Sequence, residues 1–464
     1  MRLQRRPLAF GPRSGHHARK AETPVPEERS RETSPPGSPE PADAVPTRLA
    51  RRLRTGDAVV IGLGSMIGAG IFAAVGPAAR AAGPALLLGL AIAAAVAWLN
   101  AGSVAQLAAV HPRSGGAYTY GRERLGPFCG YLAGWAFIVG KLASCTAMAL
   151  TFGSYAAPSV ARPLAALAVL ALVAVNVRGV QKTAALTRVL VALVLGALAL
   201  VVAAALGGGQ ANLARLAALP GAATPAGVLE AAGLLFFAFA GYARVATLGE
   251  EVVDAARTLP RAIAIALGIT LVVYAAVLTT ALVCLDAARL AAAPAPLAAV
   301  VEAGRHAAAA PAVRAGAAIA SLSVLLSLLA GVGRTAFAMA ANRDLPAWLA
   351  AVHPVHRVPH RAELAIGAAV AAIVALADVR SAIGFSSFCV LAYYAIANAS
   401  AWTLPPEQRR APRWRALAGI AGCATLGVTL PATSAFGGAL VLLAGAAVYA
   451  ARQALTGRKS ADPT

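Results

Sequence analysis

From Asp57 onward the chain alternates between long apolar runs and short polar connections, and twelve such runs follow one another. They cover Asp57 to Ala82, Pro84 to Val110, Pro127 to Ala156, Arg162 to Val177, Thr183 to Leu206 and Pro225 to Val253. They continue with Pro260 to Leu285, Pro311 to Ala341, Ala362 to Ala377, Ser381 to Leu404, Trp414 to Leu430 and Ser434 to Ala451. A bilayer core about 30 Å thick takes about 20 apolar residues per helix. The runs are continuous and lack the ten-residue alternation of a membrane β-barrel. The pattern therefore predicts an all-α integral membrane protein with about twelve transmembrane helices. Residues 1–56 read differently, with nine prolines, twelve basic residues and six acids and almost no apolar run. That composition cannot bury enough surface to offset its ordering entropy, so a disordered basic tail is expected. No apolar stretch follows the basic start closely enough for a cleaved signal peptide.

Composition narrows the reading further. Of the 464 residues 59% are apolar and 13% charged, against about 45–50% and about 25% in soluble domains. Soluble enzymes, nucleic-acid-binding domains and disordered scaffolds are excluded on that ground. The net charge of +21 does not restore a nucleic-acid reading, because 36 of the 40 basic residues are arginine and sit mostly between the runs. Arginine, alanine and glycine share GC-rich codons, which accounts for much of the bias. With the tail placed in the cytoplasm, 30 basic residues fall on that side, seven on the other and three within helices. This positive-inside excess predicts both termini in the cytoplasm. The five cysteines are scattered, so neither a disulfide framework nor a metal site is expected, and no cofactor is implied. His353, His356 and His360 have metal-like spacing, but a solvated loop is the simpler reading.

The chemistry concentrates where two runs are interrupted. The first reads Gly62-Leu63-Gly64-Ser65-Met66-Ile67-Gly68-Ala69-Gly70-Ile71-Phe72. Four glycines in nine residues weaken a helix by about 1 kcal/mol each. Gly64 and Gly68 fit a close-packing face of the small-xxx-small type. They fit equally a broken helix whose free amides and carbonyls line a cavity. The sixth run decides between them. Phe236-Phe237-Ala238-Phe239-Ala240-Gly241-Tyr242-Ala243-Arg244 is likewise interrupted, five helices later. Paired interruptions in two halves point to a transporter's binding site.

Here the chain resembles the amino acid–polyamine–organocation (APC) superfamily of transporters. The resemblance rests on Gly64 to Phe72, on Pro112 to Tyr118 with Gly126-Pro127 and Gly134-Trp135, and on Phe236 to Tyr242. Gly249-Glu250-Glu251, Arg257 to Ala262, and Arg334 with Ala338-Met339-Ala340 and Leu345-Pro346 complete it. It implies two inverted five-helix repeats (57–206 and 225–404), two added helices (413–451) and a cytoplasmic tail (452–464). It also implies an amino acid permease or exchanger of the bacterial plasma membrane, a secondary active transporter working by alternating access. A multi-pass membrane enzyme or a channel is the alternative. No carboxylate, histidine or Ser/Lys cluster at membrane depth supports an enzyme, and there is no P-loop.

A zwitterion at mid-membrane needs donors for its carboxylate and acceptors for its ammonium. The amides of Gly68, Ala69 and Gly70 would supply the first, at the positive end of a half-helix. The carbonyls of Ile67, Phe237, Ala238 and Ala240 would supply the second. Two departures from the superfamily matter. Some cation-transporting members carry an acid where this chain has Ala243, and a positive Arg244 follows, so a neutral amino acid is expected rather than a cationic one. Several proton-coupled members carry a lysine on the fifth helix, and none lies between Ala184 and Leu206. Lys141, midway along the third run, is the candidate replacement, because ionisable residues within membrane helices are functional hypotheses by default. Arg244, Glu250 and Arg334 are the candidate gating charges.

Overall fold

The computed structural model describes residues 53–111, 115–179, 184–217, 224–249 and 251–459. The amino-terminal tail, Arg113, Lys182 and Glu250 therefore lie outside the described residues. What is described is mostly helical with short turns and loops between helices, and the β pairing among the described residues is one isolated bridge between Leu53 and Val252. The chain forms α1 (Thr55–Met66), α2 (Ala69–Ala82), α3 (Leu86–Val110), α4 (Ala117–Leu125), α5 (Pro127–Ala156) and α6 (Ala161–Val177). Next come α7 (Ala184–Leu206), α8 (Ala214–Ala217), α9 (Pro225–Phe239), α10 (Ala243–Ala246), α11 (Ala255–Cys284), α12 (Ala287–Ala292) and α13 (Pro296–Glu302). The last are α14 (Ala310–Ala341), α15 (His360–Leu376), α16 (Val379–Trp402), α17 (Arg413–Thr429) and α18 (Ala432–Lys459).

Each of the twelve apolar runs is largely helical among the described residues. Nine helical stretches among the described residues are long and apolar enough to cross a membrane, one of them holding α2 and α3 together. Helices α6, α15 and α17 have 17 residues each, and α9 has 15 before its 3₁₀ turn. The last helix runs to Lys459, past the end of its apolar stretch at Ala451.

Local chemistry sets the helix ends. Gly126 holds φ +100°, a region that side chains avoid, and so turns the chain between α4 and α5. Pro127 then opens α5 at a position where no amide donor is needed. Thr224 caps α9 through Gly227 N at 3.1 Å, and Asp378 caps α16 through Ser381 N at 3.0 Å.

Both the interior and the exterior of the bundle are largely apolar. Large side chains such as Leu167, Leu193, Val272, Leu376, Phe436 and Leu440 are exposed on the outer helices. A girdle of that kind faces lipid, where every backbone group must be satisfied within the helices. Inside, α5 lies against α14 and α16, while α2 and α3 both pack on α9. Helices α1 and α3 pack on α11, and α17 and α18 lie against α16.

The two ends of the bundle are tied differently. At one end α12 and α13 fold over α2. Arg80 donates to Ala291 O at 3.0 Å, Leu297 N to the Tyr155 hydroxyl at 3.2 Å, and that hydroxyl to Phe72 O at 3.3 Å. An Arg380–Glu230 ion pair joins α16 to α9 there. At the other end α4 is pinned through Asp344. Its carboxylate accepts from Tyr118 and Arg122, both at 2.8 Å, and Asn342 donates to the Tyr118 hydroxyl at 2.8 Å. Burial, and then the carboxylate beside it, push the Tyr118 phenol up to about 12, so it stays a donor at physiological pH. Asp344→Asn should therefore lower stability by about 1–2 kcal/mol, read as a lower thermal-unfolding midpoint in detergent. An unchanged midpoint would show that the cluster is dispensable.

Candidate substrate site

The first helix breaks at the expected place. Helix α1 ends at Met66, α2 starts at Ala69, and Gly68 between them has ψ −135°. Ile67 N still bonds to Leu63 O at 2.7 Å, closing the last turn of α1. Among the described residues, no acceptor meets the amides of Gly68 and Gly70, and no donor meets the Ile67 carbonyl. Amides of this kind are what a helix start leaves unpaired, and the carbonyl is what the end of α1 leaves. They sit among buried side chains, with Met66, Ile67, Ile71 and Phe72 all 2% exposed or less.

The sixth-run interruption takes another form. Helix α9 tightens into a 3₁₀ turn over Ala240–Tyr242 and continues as α10, so the chain is not unwound there. Tightening consumes the carbonyls that an unwound segment would have offered. Phe237 O receives Ala240 N. Ala240 O receives the Tyr394 hydroxyl at 3.0 Å, and Ala238 O lies 3.1 Å from the Tyr274 hydroxyl. Of the four expected acceptors, only Ile67 is free of a protein donor among the described residues. The other three keep at most a second lone pair.

The glycines do other work than expected. A Cβ on Gly70 would lie 2.8 Å from the Ala238 α-carbon, and one on Gly241 would lie 2.8 Å from Met66 N and closer still to the Ser65 carbonyl. Glycine is required here because the two interrupted chains cross backbone to backbone. A Cβ on Gly68 would overlap Val324 of α14. Close helix approach, rather than ligand approach, explains these three positions.

Tyr274 is the residue that sequence reading missed. Its hydroxyl lies 2.5 Å from Met66 O and 3.1 Å from Ala238 O, so one phenol on α11 ties both interruptions together. Tyr394 on α16 donates to Ala240 O of the sixth-run interruption alone and stacks on Tyr242 at 4.9 Å. The signal was a polar-tipped aromatic inside an otherwise apolar run.

The candidate charges are dispersed. Lys141 is 9% exposed, has no carboxylate or hydrogen-bond partner among the described residues, and holds its Nζ 5.9 Å from the centre of the Phe137 ring. Arg244 is exposed although Ala243, Val245 and Ala246 beside it are buried, and it donates to Thr247 Oγ1 at 3.3 Å. It lies within electrostatic reach of Arg334 and Glu251. Arg334 is exposed and carries no ion pair among the described residues. A pairing of Arg334 with Glu250 falls outside the described residues. The histidine loop is spoken for, since His353 Nδ1 accepts the amides of Val355 and His356 at 3.2 and 3.1 Å.

A helical membrane bundle, with a broken first helix crossing a tightened sixth at its buried centre, defines a transport protein. The chain belongs to the amino acid permease family, whose model matches residues 57–450. It is 58% identical over 414 residues to an uncharacterized transporter of Mycobacterium tuberculosis, covering 89% of this chain and 94% of the relative. It is 27% identical to a branched-chain amino acid permease of Bacillus subtilis, covering 67% and 72%. It is 30% identical to cationic amino acid transporter 4 of Homo sapiens, covering 75% and 59%. The protein is thus an amino acid transporter.

Proposed function

We propose that this transporter is a secondary active carrier of a neutral amino acid in the bacterial plasma membrane, working by alternating access with both termini in the cytoplasm. The observation that carries the reading is the pair of unpartnered amides at Gly68 and Gly70, on either side of Ala69. They open the 14-residue helix α2, whose positive end favours a carboxylate. The free Ile67 carbonyl beside them suits the substrate ammonium. Backbone recognition of this kind leaves side-chain identity to the surrounding walls.

Charge argues for a neutral substrate. Neither interruption contains an acid, Ala243 stands where an acid would hold a second positive charge, and Lys141 and Arg244 both oppose one. The named relatives divide between branched-chain and cationic substrates, and these residues favour the former type. Lys141 supplies a buried positive charge on the third transmembrane segment. On this reading the end bridged by α12, α13 and the Arg380–Glu230 pair is the outer one.

Counterflow in proteoliposomes tests the reading. Branched-chain amino acids, alanine or serine should drive saturable exchange and compete with one another. Lysine and putrescine should compete at least about tenfold less well, since one unpaired buried charge costs more than 1.4 kcal/mol. Strong competition by lysine or putrescine with none from neutral amino acids would overturn it. Unsaturable flux without counterflow would indicate a channel.

A further inference from the structure

The ninth run contains an acid, Glu363, that the site above does not use. Its side chain is 5% exposed, and its Oε2 is fully buried without a hydrogen-bond partner among the described residues. It is pressed against α14 at the residue before Arg334, because a Cβ on Gly333 would come 2.8 Å from Glu363 Cγ. The guanidinium of Arg334 is near enough for the two charges to interact, yet no ion pair joins them. A buried carboxyl stands beside an available arginine and does not take it.

We propose that Glu363 binds the proton that this carrier moves, with Arg334 as the counter-ion of its unprotonated form. An ionised carboxylate buried without a partner costs several kcal/mol, whereas a neutral acid avoids most of that cost. The geometry seen here, with no partner on Oε2, suits the protonated group. Release sends one proton from the carboxyl to water beside the exposed Arg334, and the carboxylate left behind pairs with the guanidinium. No other bond changes.

The surroundings supply few competing charges. Helix α14 contributes Arg334, and α5 carries Lys141. Helix α6 has no acid or base between Arg162 near its outer end and Arg178 just past its inner end. The short 3₁₀ segment Ala347–Ala350, which also packs on α15, has none. On α15 itself, His360 lies one turn before Glu363 with a buried, unpartnered Nδ1, and Arg361 is exposed. Helix α14 also connects this position to the substrate site, since Val324 on the same helix fills the space beside Gly68. A shift of α14 that brings Arg334 onto Glu363 therefore moves a wall of the first-helix break. This inference rests on the transporter reading for its purpose, and it leaves Lys141 as a fixed cation.

Glu363→Gln keeps the size and polarity of the protonated acid but cannot release a proton. In proteoliposomes with an inward gradient of about one pH unit, worth about tenfold in accumulation for one proton, the variant should lose that tenfold. Its counterflow exchange should stay within about twofold of the wild type and lose its pH dependence. The wild-type protein at neutral pH should also show the infrared C=O stretch of a protonated carboxyl, absent from Glu363→Gln. If the glutamine variant does not fold, Glu363→Asp should shift the same band. Unchanged gradient-driven uptake with an unchanged pH profile overturns the proposal, and so does an infrared spectrum that neither substitution alters. If the wild type exchanges no amino acid, the transporter reading fails while the infrared measurement still decides where the proton sits.

Discussion

Gly241→Ala should abolish transport while the protein still inserts into the membrane. The added methyl would stand 2.8 Å from Met66 N and nearer still to the Ser65 carbonyl. Both neighbours are backbone, so neither can swing aside as a side-chain tip would. The 3₁₀ turn at Ala240–Tyr242 would have to separate from the first-helix break. Overpacking of this kind costs about 1–3 kcal/mol, which a bundle of this size tolerates. The Tyr274 hydroxyl spans both chains only while they touch, so separation detaches it from Met66 O or from Ala238 O. With the amides of Gly68–Gly70 displaced by about 1 Å, counterflow should fall by roughly a hundredfold or more. Gly70→Val should act in the same direction by wedging against Ala238. Reconstituted variants with normal size-exclusion profiles and normal counterflow would place the substrate elsewhere.

Lys141→Met should reduce uptake by at least about tenfold, and Lys141→Arg should preserve its pH profile. The lysine lies on the third transmembrane segment, α5, with no carboxylate partner among the described residues. An isolated ammonium in an apolar bundle costs several kcal/mol and is kept only if something uses the charge. Methionine removes the charge at nearly constant volume, so packing alone should change little. Arginine keeps the charge and does not release a proton. A wild-type pH profile in Lys141→Arg then assigns the proton to another group, as the Glu363 proposal requires. Loss of the pH profile in Lys141→Arg with its retention in Glu363→Gln would return the proton to Lys141. Wild-type uptake by Lys141→Met would make the lysine structural.

Hydropathy alone determined the long helices of this protein, though not the short α4, α8, α12 and α13 between them. A run of about twenty apolar residues in lipid has one common solution, because hydrocarbon offers its amides no other partner. The break at Ile67–Gly68 was legible for a related reason: four glycines in nine residues weaken any helix. The sixth interruption was legible as a position but not as a conformation. Whether Phe236 to Tyr242 unwinds or tightens depends on what accepts and donates around it, and Tyr274 and Tyr394 come from α11 and α16, far along the chain. Tertiary structure likewise decided why Gly70 and Gly241 are glycines, since the atoms they make room for belong to the other half of the molecule. It set Glu363 apart in the same way. In sequence it is one acid near a helix start, and only the packing of α15 on α14 shows a carboxyl shut away beside an arginine it does not engage. Local patterns fix what each segment becomes, because backbone groups must be satisfied within it. Contacts between distant segments fix which polar groups are left over, and those leftover groups carry the chemistry of transport.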